Sequence, residues 1–327
     1  LHLHGAEKPL PAGWAKNFNM AMDAQPTLQS APNSAIPSFL TQYYDPKLID
    51  VLFAPMKAAQ VAGERQLGDW TTQTATFELI EMTGAVTSYG DYNNSGQAKI
   101  NFNFPQRQAY YYQTMTRWGE LELERAGLAK IDYANRLNMS SVYILNKFQN
   151  QTYLFGVSGL QAYGMTNDPS LTAPISPATK AAGGTGWPKG TGLEVYADIQ
   201  SLYAQAQTQL NGNIDLESDM TLIMPPTSQT YLTNTTQFNV NVMDLLEKNF
   251  PNMKIETIPE YATASGNLMQ LVVNQIDGQK TWECAFNEKL RSHPVIIEES
   301  AFKQKKSQGT YGTVIYRPIA IAQMLGI

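Results

Sequence analysis

From Arg117 to Phe155 the apolar residues keep to one side of a helix. Ala126, Tyr133, Leu137, Ile144, Phe148 and Phe155 are spaced by 7, 4, 7, 4 and 7 residues, which returns each to the same face at 3.6 residues per turn. The opposite face is polar: Glu120, Glu124, Arg125, Lys130, Asn135, Asn138, Lys147 and Gln149. Glu120, Glu122 and Glu124 open the segment and Lys147 lies late in it, the polarity that the helix dipole favours. No proline intervenes, and Gly156 and Gly159 supply a C-terminal stop. The spacing predicts one helix over 117–155, about 58 Å long at 1.5 Å per residue. A spherical chain of this length would have a radius of gyration of about 20 Å, so the helix would cross all of it. The implied molecule is an elongated plate on a helical spine. The alternative is two stacked helices that part near Gly127, where glycine costs about 1 kcal/mol relative to alanine.

The scarcity of charge argues for an outside much of which is covered by partners. Twenty-three basic and 28 acidic residues give a net charge of −5, and charged residues make up only 16% of the chain, against about 25% in ordinary soluble domains. Asn, Gln, Thr and Ser fill the gap, and such groups are cheaper to desolvate than ions. Nothing in this balance points to a dedicated nucleic-acid binder with a basic face; any contact with DNA is expected to be diffuse. One cysteine, Cys284, rules out an internal disulfide framework and reads as a small buried hydrophobe in a chain made in a reducing compartment. Leu1–Trp14 has neither the basic flank nor the apolar run of an export signal. No stretch of 18 apolar residues occurs, so no membrane-spanning helix is expected.

Around the spine the chain divides into segments. Residues 1–45, studded with Pro9, Pro11, Pro26, Pro32 and Pro37, read as an extended arm, and 46–62 as a short helical segment. Within 63–116, Thr74, Thr76, Leu79 and Ile80, then Ile100, Phe102 and Phe104, alternate about the turn Asp91–Gly96, predicting one long β-hairpin. Isolated hairpins are marginal in water, so this one needs a surface to lie on. After the spine comes a loop rich in glycine, proline and threonine up to residue 184. Helix and strand then alternate over 185–300: helices at Gly192–Leu210 and Val242–Asn249, strands at Thr221–Met224, Lys254–Ile258, Met269–Val273 and Trp282–Phe286. Residues 301–327 read as a C-terminal strand and an apolar tail that docks. The class is α+β.

Catalytic signatures fail on inspection. His2 and His4 alone make no metal site, and His293 before Pro294 reads as a turn residue. Gly156-Val157-Ser158-Gly159-Leu160 ends in leucine and follows a helix where a nucleophile elbow requires a strand. Gly183–Thr191 has the composition of a phosphate loop but the order Lys189-Gly190-Thr191, which misplaces the lysine. Glu120, Glu122 and Glu124 do not converge on one helix face. No catalytic residue, metal ligand or cofactor is assigned.

The order of parts, with Gly63-Glu64-Arg65, Gly68-Asp69-Trp70, Gly84–Tyr92, Arg117–Glu122, Leu154-Phe155-Gly156, Tyr163–Pro169, Thr221–Pro226 and Tyr316-Arg317-Pro318, resembles the major capsid proteins of tailed bacteriophages, the fold named after phage Hong Kong 97. It is most similar to a capsid-like branch long known as a domain of unknown function, over roughly residues 45–327. The resemblance implies an N-terminal arm, an extended hairpin loop at 63–116 lying over a neighbouring subunit, and a peripheral domain made of 46–62, 117–184 and 301–327. It makes 185–300 an axial α/β domain meeting its copies in pentamers and hexamers. The implied product is an icosahedral shell around double-stranded DNA, which it touches non-specifically, with a portal and scaffolding, protease and decoration proteins as further partners. The implied location is the virion capsid, assembled in the bacterial host cytoplasm. Lys99 could serve a covalent subunit link of the kind some relatives form, but no pattern identifies its partner.

Trp70, Phe102 and Phe104 on the hairpin, and Arg117, Glu120 and Glu124 at the helix start, are the expected contacts between subunits; Trp70 could instead pack inside its own hairpin. Competing readings are an encapsulin-like nanocompartment shell, a surface adhesin, and a hydrolase using Ser158 and His293.

Overall fold

The computed structural model describes residues 55–93, 96–128, 132–236 and 239–327, all within one compact unit, Phe53–Ile327. The expected arm at 1–45, His2, His4 and the segment 46–54 lie outside the described residues.

In chain order, α1 (Ala58–Ala62) precedes β1 (Glu64–Gln66), β2 (Thr74–Thr76), β3 (Leu79–Gly84), β4 (Ala98–Asn103), β5 (Gln106–Gln108) and β6 (Tyr110–Gly119). Helices α2 (Glu120–Leu128), α3 (Tyr133–Phe155) and α4 (Gly192–Gln209) follow. Next come β7 (Met220–Met224), α5 (Pro226–Gln229), α6 (Val242–Asn249), β8 (Met253–Thr257), β9 (Ala262–Thr263) and β10 (Gly266–Val273). The chain finishes with β11 (Gln275–Ile276), β12 (Gln279–Lys280), β13 (Trp282–Glu298), β14 (Ala301–Ile315) and β15 (Ile321–Leu325).

Two principal sheets organise these elements. The first runs β15-β10-β7-β8, with β9 on β10. Alternation along its strands builds a core on each face. Met220, Leu222, Met224, Met269, Leu271 and Val273 face Val195, Ile199 and Leu202 of α4 and Leu246 of α6. Ile223, Leu268 and Val272 meet Tyr153 and Leu154 of α3, with Trp282, Cys284 and Ile315. The second sheet runs β1-β13-β14-β6, and α3 crosses it. This interface is polar: Ser141, Gln149 and Thr152 of α3 and Lys306, Gln308, Thr310 and Thr313 of β14 are all buried. The Lys306 ammonium donates to Ser141 Oγ at 2.7 Å and to Asn138 Oδ1 at 3.0 Å.

The structure corrects the spine. Residues 117–119 are strand, because β6 pairs with β14 continuously from Tyr110↔Thr310 to Gly119↔Ala301. Helix starts at Glu120, where the Glu122 carboxylate accepts the Gly119 amide at 3.3 Å. A second helix starts after Asp132, whose carboxylate accepts the Asn135 amide at 3.3 Å. The arrangement is thus two helices parting beyond Gly127, and α3 is 23 residues long.

The buried face also differs. Ser141, Leu145, Gln149, Thr152 and Tyr153 point inward, whereas Ile144, Phe148 and Phe155 of the expected apolar stripe are 54%, 36% and 41% exposed. The helix is rotated toward a hydrogen-bonding sheet surface, which leaves much of its apolar stripe open.

Segment boundaries change accordingly. Residues 63–116 are not one hairpin: β1 pairs in parallel with β13, and 110–116 belong to β6. Strand β13, expected to end near Phe286 inside the α/β segment, runs to Glu298 and pairs with β14. Strand β15, expected with the spine, instead completes the α/β sheet beside β10. His293 is a strand residue rather than a turn residue. A register shift between Ser292 and Val295 admits Pro294, which has no amide to donate.

Candidate assembly surfaces

Between β3 and β4 the register is Ile80↔Phe102 and Met82↔Ile100, with Glu81↔Asn101 and Thr83↔Lys99 on the alternate side. The ribbon is therefore amphipathic, with Ile80, Met82, Ile100 and Phe102 on one face and, Leu79 apart, polar residues on the other. Phe104 continues the apolar face, its ring stacked 6.3 Å from that of Phe102. In a half-buried hairpin this face would lie on the protein body. Here Ile80, Ile100, Phe102 and Phe104 are each 51–55% exposed and Met82 is 85% exposed. Beyond the ribbon, Val86, Tyr89 and Tyr92 also stand in solvent.

The other expected contact residues are dispersed. Trp70 lies edge-on to Tyr111 of β6, ring centroids 4.8 Å apart, with the Arg291 guanidinium 5.3 Å over its ring; it is half-buried within its own chain. Arg117 reaches Glu298 at 3.2 Å. Glu298 also accepts from Lys303, and this hydrogen bond holds its carboxyl below the usual range. The Glu120 amide donates to the Ser300 carbonyl at 2.9 Å, while the side chains of Glu120 and Glu124 are exposed on α2. Arg117, Glu120, Trp118 and Phe302, the last two with rings stacked at 6.1 Å, thus gather where α2 meets the β13–β14 turn. Trp70, Phe102 and Phe104 belong to other parts of the surface.

Reading the sequence found the ribbon strands but singled out only Phe102 and Phe104. Ile80, Met82 and Ile100 carry the same alternation, and that period was the available signal. Ile144, Phe148 and Phe155 of α3, which the apolar spacing turns inward, are on its exposed side.

The loops that mimicked catalytic motifs have structural duties. Trp187 in the Gly183–Thr191 loop is fully buried and donates to Asp198 Oδ2 at 2.8 Å. Lys180 and Asp198 form an ion pair with each side chain only 1% exposed. Thr191 and Glu194 cap α4 reciprocally, and three hydrogen bonds from Thr191 and Ala181 keep the Glu194 carboxyl low. Ser158 lies exposed just beyond α3, and His293 Nε2 sits 2.8 Å from Ser307 Oγ. Burial pushes the Cys284 thiol well above its usual range. Among the described residues no three or more His, Cys, Asp or Glu side chains gather as metal ligands, and no helix is long and apolar enough to cross a membrane.

Comparison with known proteins places these surfaces in context. The chain is similar in fold to the capsid of Myoviridae phage XM1, with a TM-score of 0.74 and 13% identity over 90% of this chain and 100% of that one. It is also similar to the capsid of the native GTA particle, at a TM-score of 0.64 and 10% identity over 90% and 99% of the two chains. The protein of Gordonia phage Cozz aligns at a TM-score of 0.59 and 8% identity over 92% and 97%. No curated protein sequence matches significantly. The family model described as Pa193 gp26 major capsid protein matches residues 27–326, nearly the whole chain. An α+β capsid fold, apolar faces left open on a single copy and a family match of this extent lead to one conclusion: the chain belongs to the Pa193 gp26 major capsid protein family, and is a structural protein of the phage virion capsid.

Proposed function

We propose that the β3–β4 ribbon lies across an adjacent copy and that this contact, repeated around each capsomer, closes an icosahedral shell. The observation that carries the proposal is the apolar face of Ile80, Met82, Ile100, Phe102 and Phe104, open on a single copy. Such a face is costly unless covered. Phe102 and Phe104 anchor the contact, and the exposed part of Trp70 joins it. Arg117, Glu120 and Glu124 meet a neighbour beside the β13–β14 turn. The sheet of β7, β8, β10 and β15, with α4 and α6, forms the axial part around five-fold and six-fold positions, and α3 with the second sheet forms the peripheral part.

The shell encloses double-stranded DNA through diffuse contacts, in keeping with a net charge of −5. Assembly takes place in the host cytoplasm, with a portal and with scaffolding, protease and decoration proteins as partners. Electron microscopy of the purified full chain tests this: the parent forms closed particles or capsomer rings, and deletion of residues 90–97 leaves folded, unassembled chains. Normal particles from the deletion variant would refute it.

A further inference from the structure

The ribbon leaves the body on two footings. On the outgoing arm, Phe77 lies edge-on to Tyr316 with centroids 5.9 Å apart and packs with Ala75 in the cluster of Tyr311 and Val314, and the Thr72 carbonyl accepts from the Tyr111 and Tyr311 hydroxyls at 2.7 and 3.0 Å. On the returning arm, Arg107 of β5 donates through Nη2 to Asp168 Oδ2 at 2.7 Å, and its guanidinium carbon lies 4.8 Å from the Tyr163 ring centroid. The two charged side chains are 13% and 1% exposed.

The platform beneath Arg107 is fixed. Asp168 Oδ1 accepts the Ser170 amide at 3.0 Å. The Tyr163 carbonyl accepts the Thr313 amide of β14 at 2.8 Å, and the amides of Met165 and Thr166 donate to the last turn of α3. Gly312, at φ +78°, lets the strand pass so near that a Cβ there would stand 2.3 Å from the Tyr163 carbonyl oxygen. The Gln108 amide, donating to Gln161 at 3.1 Å, ties the same arm to the same loop.

A buried ion pair is a poor way to gain stability, because desolvation offsets much of the attraction. This pair is incompletely satisfied as well, since Arg107 Nε is buried without an acceptor. What it supplies is a fixed point: a single buried Nη2–Oδ2 contact with the guanidinium over a ring face, whose separation would strand a buried charge. At about 3.3 Å per residue the ring of Phe102 stands about 17 Å from this pivot, so a swing of about 10° displaces it by about 3 Å. That is enough to lose a packed contact.

We infer that Arg107 and Asp168 are positioning residues for assembly: they set the angle at which the ribbon projects, and thereby the curvature at which copies join. The inference rests on the ribbon contact proposed above.

The test pairs two experiments on the full chain. Replacing the pair by R107M/D168N, which keeps an acceptor for the Ser170 amide, should leave the unassembled chain melting near the parent temperature, while electron microscopy finds mixed diameters and open sheets. Closed particles of the parent diameter would overturn the inference. Independently, spin labels at Met82→Cys and Gln151→Cys, with Cys284 buried, should give a broader distance distribution once Asp168→Asn is added to the unassembled chain. An unchanged narrow distribution would also overturn it, even where the double variant fails to fold. Normal assembly after deletion of 90–97 would sink the ribbon contact alone, leaving the angular restraint to be read from the spin labels.

Discussion

Replacing Ile100 and Phe102 together by threonine should separate assembly from folding. Both side chains are 55% exposed in the single chain, and threonine keeps the β preference of the ribbon. Burying a whole Ile or Phe side chain is worth about 1.5–3 kcal/mol; with roughly half of each already covered, about 1 kcal/mol per residue is left for a neighbour to supply. The double variant therefore loses about 2 kcal/mol for each ribbon seated, roughly a 30-fold rise in the concentration needed for assembly at 1.4 kcal/mol per tenfold. Exposed substitutions usually alter stability by less than about 0.5 kcal/mol, so the melting temperature of the unassembled chain should hardly move. Light scattering against protein concentration measures the first quantity and calorimetry of dissociated chains the second. An unchanged threshold would show that no neighbour covers this face, and a large loss of monomer stability would show that its own body does.

Other perturbations probe the interior. Asp198→Ala strands the buried Lys180 ammonium and the Trp187 N–H, and should cost about 3–5 kcal/mol, read as a lower denaturation midpoint and faster proteolysis within 176–191. Gly312→Ala meets both a left-handed backbone and the Tyr163 carbonyl and should cost at least about 2 kcal/mol, since the left-handed conformation alone takes 1–2. Arg117→Ala removes an exposed ion pair and should change chain stability by less than about 1 kcal/mol, so any assembly defect it causes reports a contact between copies. Cys284, buried with a raised pKa, should resist thiol reagents at pH 8 in the native chain and react fully in denaturant; native reactivity would contradict the packing around Trp282 and Ile315.

The α/β part was legible because its periods are clean. Met220–Met224, Val242–Asn249 and Gly192–Gln209 each fall within a residue or two of the segments their apolar spacing predicts. Strand β14 was legible as a C-terminal strand, but its contact with α3 was not, since the side chains it buries there include Lys306, Gln308, Thr310 and Thr313 and a polar strand on a polar helix face has no apolar period to detect. The same chemistry misled the reading of α3: Ile144 and Phe148 obey a helical period, but the side turned inward carries Ser141 and Gln149. Apolar spacing reports which face wants to be covered without saying by what, and in a shell protein the cover can be another copy. The ribbon gave the same ambiguity, its alternation plain and the surface that would cover it invisible to the period. Arg107 and Asp168 carry no mutual signal at all, being 61 residues apart and joined only by the folded loop.

The most direct measurement is the structure of particles assembled from this chain, resolved well enough to follow residues 79–104. Phe102 and Phe104 should lose nearly all of their exposed surface against an adjacent copy, with the ribbon leaving the body at the angle set by Arg107. A closed shell in which both rings remain in solvent, or in which the ribbon folds back on its own α3, would contradict the account.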